Sequence, residues 1–166
     1  MTCSTRLILF LLKLCIFPKR VVCVIERKTM KLYTTNYKNT FIEIAEDCPL
    51  NQGQEPPIKG NNKSVANYQY DMVKGNPYKY TSDDVFFTVF AIRKEFDKKD
   101  WNDERNKFFS KGQPCFRASS LTKRYGWGVH SNENGKVAIY GIETKEYQNF
   151  LSDNSIRKIK AMRSKK

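Results

Sequence analysis

The chain has 166 residues, of which 30 are Lys or Arg and 17 are Asp or Glu, so its formal net charge is +13. This length fits one domain. A hydrophobic fraction of 40%, with eleven Phe, nine Tyr and two Trp, excludes a disordered chain. The chain contains no apolar span of about 20 residues, which excludes a polytopic membrane protein.

The basic charge is concentrated at the two ends of the chain. Residues 1–30 carry six basic side chains and one acidic one, and residues 154–166 carry six basic side chains and no acidic one. Residues 31–153 hold 18 bases and 16 acids and are therefore nearly neutral. The total charge is typical of a protein that binds nucleic acid, but this distribution limits such an interface to one local patch.

Residues 7–17 form an apolar run that is interrupted by Lys13 and ended by Pro18. As a helix the run would span about 16 Å, about half of the hydrocarbon core of a membrane. It is either a signal peptide, here without a small-residue cleavage site, or a membrane-surface anchor, or the product of a mis-assigned start. We favour the last, because the sequence from Met30 onward is polar and rich in turns. We therefore expect residues 1–29 to be an extension and residues 30–166 to be one globular domain.

The five cysteines show no C-x-x-C pair, so the sequence predicts neither a disulfide framework nor a cysteine-based zinc site. Only Cys48 and Cys115 lie within residues 30–166, which suits the reducing cytoplasm. We expect a cytoplasmic protein without a metal or cofactor and without stable membrane insertion.

The first elements of the domain are indicated by alternation and by punctuating residues. Residues 40–45 alternate as in a strand, and residues 48–62 are a loop rich in Pro, Gly and Asn. Ser64 can cap a helix that Gly75 ends. Residues 85–92 are apolar on both faces, which predicts a central strand covered on both sides; a buried helix is the alternative.

The second half of the domain is predicted in the same way. Asp100 caps a second helix, and Thr144 caps a third. The remaining elements are a short strand at 115–118, a turn or single helical turn at 119–125, a hairpin formed by 126–130 and 136–142, and a last strand at 156–162. Together these elements predict an α+β fold, a single compact domain of about five mostly antiparallel strands with about three helices packed on the sheet.

The segment 112–130 contains the best candidate site. Alternation places Cys115 and Arg117 on one strand face, and Gly128 and His130 on one face of another strand. If the two strands are neighbours, these side chains could converge with the hydroxyls and cations of the turn to bind a carboxylate or phosphate. The candidate ligand-binding residues are Cys115, Arg117, Ser119, Ser120, Lys123, Arg124, Trp127 and His130. The structural alternative, which we favour slightly, is a tight β-corner with Trp127 in the core and solvated cations.

Two catalytic interpretations are weaker. Cys115 and His130 could form a nucleophilic pair, which requires a hydrogen bond between them and a third orienting group. Asp83 and Asp84 could be paired carboxylates for metal or acid–base chemistry. In most proteins such residues are structural or solvated.

The basic C-terminus has a functional and a structural interpretation. The candidate phosphate contacts are Arg157, Lys158, Lys160 and Arg163. An ordinary solubilising tail is the favoured alternative, because RNA-binding proteins commonly combine such cations with aromatic residues and no aromatic residue follows Phe150.

Four stretches carry a resemblance to a known family: TTNYKNTFIEIAEDCP, NPYKYTSDDVFF, FFSKGQPCFRASSLTKRYGWGVHSNENGKVAIYGIE and KAMRSK. Over residues 31–166 the chain resembles a small bacterial family, domain of unknown function 6157. The resemblance implies a short single-domain protein that begins near Met30, and it implies no activity, cofactor or catalytic residue.

Three functions therefore follow from the sequence. The first is the binding of a small anionic ligand around 112–130, by a binding protein or an enzyme. The second is an accessory role in nucleic-acid binding through the basic C-terminus, and the third is a structural or interaction protein without a ligand.

Overall fold

A four-stranded sheet is the centre of the computed structural model, which describes residues 31–58, 60 and 62–164. The strands are β1 (Thr40–Glu43), β2 (Trp127–Ser131), β3 (Val137–Gly141) and β4 (Arg157–Lys160), in the spatial order β3-β2-β1-β4. β2 is antiparallel to both of its neighbours, whereas β1 and β4 run parallel. The sheet is therefore mixed. The predicted extension at residues 1–29 lies outside the described residues.

The register divides the sheet into two faces. Ile42 on β1 lies beside Val129 on β2 and Ile159 on β4, and this row belongs to the larger hydrophobic core. Phe41 lies beside His130, and both point to the opposite face. The helices that cover these faces are α1 (Val65–Lys74), α2 (Ser82–Arg93) and α4 (Ser120–Arg124) on the first, and α5 (Lys145–Ser152) on the second. A further helix, α3 (Trp101–Phe109), packs on α2.

Several boundaries agree with the sequence-based expectations because they depend on local chemistry. Ser64 caps α1 in a capping box with Asn67, and Gly75 follows its last residue. Thr144 caps α5 by accepting a hydrogen bond from the Tyr147 amide. Gly135 has φ of +73° in the turn between β2 and β3.

Residues 85–92 are helical, so the prediction of a central strand is wrong. They lie in α2, where Val85 enters the larger core while Phe87 and Ala91 pack in a second cluster with α3. A helix that is buried between two clusters is apolar on nearly all sides, so its periodicity resembles that of a two-sided strand. Thr81 begins α2 with a capping box to Asp84, which is the local signal that distinguishes the two structures.

Residues 115–118 are also not a strand. Phe116–Ala118 form a 3-10 turn that leads directly into α4. The buried Thr122 hydroxyl donates to the Phe116 carbonyl oxygen (2.7 Å), which holds the turn against the helix. With residues 85–92 and 115–118 not in strands, the described chain has four strands and five α-helices instead of about five strands and three helices.

Two adjacent carboxylates at the start of α2 connect it to two other segments, residues 34–36 and α3. Buried Asp83 accepts hydrogen bonds from the Thr35 amide (2.7 Å), the Thr34 hydroxyl (2.7 Å) and the Asn36 side chain (2.9 Å). Asp84 accepts from Thr81 and forms an ion pair with Arg105 of α3. Burial acts to raise the pKa of Asp84, but the hydrogen bonds from Thr81 and the Arg105 guanidinium outweigh it and hold that pKa below its usual value.

Replacing Asp83 with Ala should lower the free energy of unfolding by about 2–4 kcal/mol, because several donors lose a buried acceptor. Asp71→Ala is the matched control, since Asp71 forms an exposed ion pair with Lys63, and it should cost less than about 1 kcal/mol. Urea unfolding followed by tryptophan fluorescence measures both. Equal stability of the two variants would contradict the role given to Asp83.

Candidate functional site

The glycines around Trp127 are required by contacts within the chain. Gly126 has φ of +72°, and a Cβ there would collide with the Gln52 carbonyl group. A Cβ on Gly128 would lie 2.5 Å from the Tyr147 ring and 2.7 Å from the Phe41 ring. The Trp127 indole is buried and donates to the Gln54 carbonyl oxygen (2.7 Å). This part of the segment matches the structural alternative, a tight corner with Trp127 in the core.

Cys115 and Arg117 do not meet His130. The Cys115 Sγ lies 3.6 Å from the Tyr37 hydroxyl oxygen, and Arg117 Nε donates to the Lys160 carbonyl oxygen (2.9 Å). Phe116, between them, packs in the larger core with Val129, on the face opposite to His130. The expected convergence is wrong, because it required residues 115–118 to be a strand beside β2.

His130 lies beneath α5 in an aromatic environment. Its Nδ1 is 2.8 Å from the Tyr78 hydroxyl, which is 3.0 Å from the Tyr140 hydroxyl, and the imidazole stacks on Phe150 with 4.3 Å between ring centroids. Its Nε2 is buried without a hydrogen-bond partner among the described residues. Neither nitrogen contacts Cys115, so the nucleophilic pair is not formed. Burial lowers the pKa of His130, and the more distant Asp153 opposes this in part.

The hydroxyl and basic side chains of residues 119–124, the turn before β2, differ in burial and in surroundings. Ser119 is buried and caps α4, whereas Ser120 is exposed. Lys123 is half-buried, and Arg124 lines an open depression of about 320 Å³ together with Asp47, Pro49 and Ser164. The expected cluster of hydroxyls and cations around one anion is not assembled at this turn.

The basic C-terminus is partly neutralised. Lys160 and Arg163 both form ion pairs with Glu46, and both contacts lower the pKa of that carboxyl group. Arg157 is exposed and Lys158 is half-buried. A nucleic-acid interface at these four residues stays a prediction, and its charge is lower than the sequence suggests.

An apolar groove between α1, α2 and α3 is the strongest candidate site. It has a volume of about 190 Å³, and the residues that follow α3 form one of its sides. Its walls are Val65, Phe86, Val89, Phe90, Phe108 and Pro114, and its polar side chains are Gln69, Arg93 and Gln113. We call this set the helical groove. Gln113 and Pro114 belong to the predicted segment 112–130, while Ser119 lies behind the groove and donates to Gln69 (2.7 Å).

The sequence analysis does not identify most groove residues, because it predicts a strand where the structure has α2. As a helix, α2 places Phe86, Val89, Phe90 and Arg93 on one stripe, at the spacing of residues i, i+3, i+4 and i+7. Arg93 makes no ion pair or hydrogen bond through its side chain with any described residue. The groove thus combines an apolar wall with a cation that is available to a ligand.

Within residues 31–58, 60 and 62–164, no cluster of three or more His, Cys, Asp or Glu side chains could hold a metal ion. No described helix combines the length and apolar character needed to cross a membrane. Cys48 and Cys115 are free thiols.

The fold and the groove define an α+β protein with a mixed sheet, helices on both faces and a small cleft between three helices. A family model matches residues 32–166, and the chain belongs to that family, a family of unknown function, DUF6157. The resemblance seen in the sequence is therefore confirmed. No curated protein and no solved structure matches the chain significantly.

Gly128→Ala should destabilise the protein by about 1–3 kcal/mol, because the added methyl group overpacks the contact between β2 and α5. Gly112→Ala is the control, since nothing lies within 4 Å of a Cβ at that position. Urea unfolding compares the two variants with the wild type. If Gly128→Ala were as stable as Gly112→Ala, the close approach of Tyr147 would not be a constraint.

Stability should also depend on pH through His130, the only histidine. Because burial lowers its pKa in the folded state, the unfolded state binds a proton first as the pH falls. The free energy of unfolding should therefore be fully retained above about pH 7 and should decrease as the pH falls below about 6.5. In His130→Gln this step should disappear. Unfolding curves between about pH 8 and 5 test this, and an equal decrease in both proteins would contradict it.

Proposed function

We propose that this protein binds a small organic anion with an apolar body in the helical groove. The observation that carries the proposal is that Arg93, an exposed residue without an ion-pair partner among the described residues, lines an apolar cleft. A cation beside low-dielectric walls attracts an anion more strongly than one surrounded by water. The aromatic walls supply apolar contact area for the rest of the ligand.

The groove supports this function better than the turn that the sequence suggested. Arg117 at that turn already donates to a backbone carbonyl oxygen, and Arg124 shares its depression with Asp47. Among the described residues that line the groove, Arg93 is accompanied by two glutamines and no carboxylate. As in the sequence-based prediction, the proposed ligand is a small anion that binds at the edge of segment 112–130. The cation that binds it is Arg93.

Arg93→Gln should abolish most of the binding. The probes are benzoate, hexanoate and inorganic phosphate, added to the purified full-length protein and followed by thermal shift and isothermal titration calorimetry. At least one organic acid should stabilise the wild type, and Arg93→Gln should weaken its binding about tenfold or more, since a hydrogen-bonded charge pair contributes about 1.5–3 kcal/mol. Phosphate should have little effect, because it has no apolar body.

Lys94→Gln is the matched control, because Lys94 is exposed, adjacent to Arg93 and outside the groove. It should bind the acids as the wild type does. The proposal fails if none of the acids binds, or if the two variants weaken binding equally.

A further inference from the structure

Gln69 in the helical groove is buried, with 2% of its surface exposed, yet its amide is only half satisfied. Its Oε1 accepts a hydrogen bond from the Ser119 hydroxyl (2.7 Å). Its Nε2 makes no hydrogen bond with any described residue. The Ser119 oxygen also accepts from the Leu121 amide (3.2 Å), so this hydroxyl joins Gln69 to the first turn of α4. This nitrogen is not among the fully buried side-chain atoms of the described residues that lack a partner, so it reaches the groove surface, where a ligand acceptor can pair with it.

The contacts around Gln69 and the position of Arg93 along α2 indicate that the two side chains lie toward opposite ends of the groove. Ser119, the partner of Gln69, belongs to the same turn as Phe116, whose ring contacts Phe86 with 5.1 Å between centroids. Gln69 is therefore near the Phe86 end of the α2 stripe. Arg93 follows Phe86 by seven residues, which is about 10 Å along a helix axis. A ligand that uses both side chains has an anionic group at one end and a hydrogen-bond acceptor at the other.

The space between these ends suits one flat ring. Phe90 and Phe108 line the groove with their ring centroids 4.7 Å apart, and Phe86 lines it as well. The groove volume of about 190 Å³ slightly exceeds the roughly 150 Å³ of a cavity that holds benzene. Gln113 donates through Nε2 to the Phe108 carbonyl oxygen (2.7 Å), which leaves its Oε1 as an acceptor.

We propose that the groove binds a hydroxyaryl carboxylate, a single aromatic ring with a carboxylate at one end and a hydroxyl group at the other. This inference rests on the proposed function. The carboxylate pairs with Arg93, and the ring packs among the three phenylalanines. The hydroxyl oxygen accepts a hydrogen bond from Gln69 Nε2. Ser119 is a positioning residue that acts through Gln69.

Calorimetric titration of the full-length protein with 4-hydroxybenzoate, benzoate and hexanoate tests the inference. The wild type should bind 4-hydroxybenzoate about tenfold or more tightly than benzoate, because benzoate leaves the Gln69 donors unpaired. In Gln69→Met this preference should fall below about threefold, while the affinity for benzoate should change by less than about threefold.

Ser119→Ala provides a second variant if Gln69→Met does not fold. It removes the contact that orients the amide, so the preference should decrease, whereas Ser120→Ala at the exposed neighbouring position should retain it. Should benzoate or hexanoate bind as tightly as 4-hydroxybenzoate in an Arg93-dependent manner, this inference is overturned and the proposed function stands. Retention of the preference in both Gln69→Met and Ser119→Ala also overturns it. If no acid binds, both proposals fail.

Discussion

The first turn of α2 is the constraint on which the rest of the structure depends. Asp83 holds the segment that leads into β1, and Asp84 holds α3 through Arg105. Both carboxylates also lie at the helix N-terminus, where the helix dipole favours negative charge. One short sequence, Thr-Ser-Asp-Asp, thus positions α2 against the sheet on one side and against α3 on the other. Two adjacent carboxylates are also a pattern typical of metal or acid–base sites, but here they hold neighbouring segments of the fold together.

The burial of α2 on two sides produces both the core and the groove. Val85 completes the core on the sheet, and Phe87 completes the cluster with α3. The remaining apolar stripe lines the groove together with residues of α1 and α3. The groove is therefore formed where two helices lie beside one apolar helix. Arg93, the one cation among its described lining residues, lies at the end of α2, where a basic side chain also interacts favourably with the helix dipole.

The sequence predicts the features that depend on a few neighbouring residues. It does not predict the features that depend on how distant segments pack together. The cap at Ser64 and the turn at Gly135 follow from side-chain and backbone preferences of a few residues. The α2 helix was missed because burial by two partners removes the helical period, although its capping box was visible in the sequence. The convergence of Cys115 with His130 depended on which strands are neighbours and on which face each residue lies, and alternation along single strands does not contain that information. Gln69 carried no sequence signal, because its importance depends on Ser119, 50 residues away.

Whether each basic side chain is paired with an acidic one distinguishes the candidate functions better than the net charge does. At the basic C-terminus, Glu46 pairs with both Lys160 and Arg163, so two of the four candidate phosphate contacts are already occupied. Exposed pairs of this kind contribute little to stability and are weakened by salt, so Glu46 lowers the net charge of this patch more than it blocks the two side chains. Arg93 has no acid to displace among the described residues, and it lines the groove together with three phenylalanines. One uncompensated cation at an apolar cleft therefore favours a small organic anion over a polyanion.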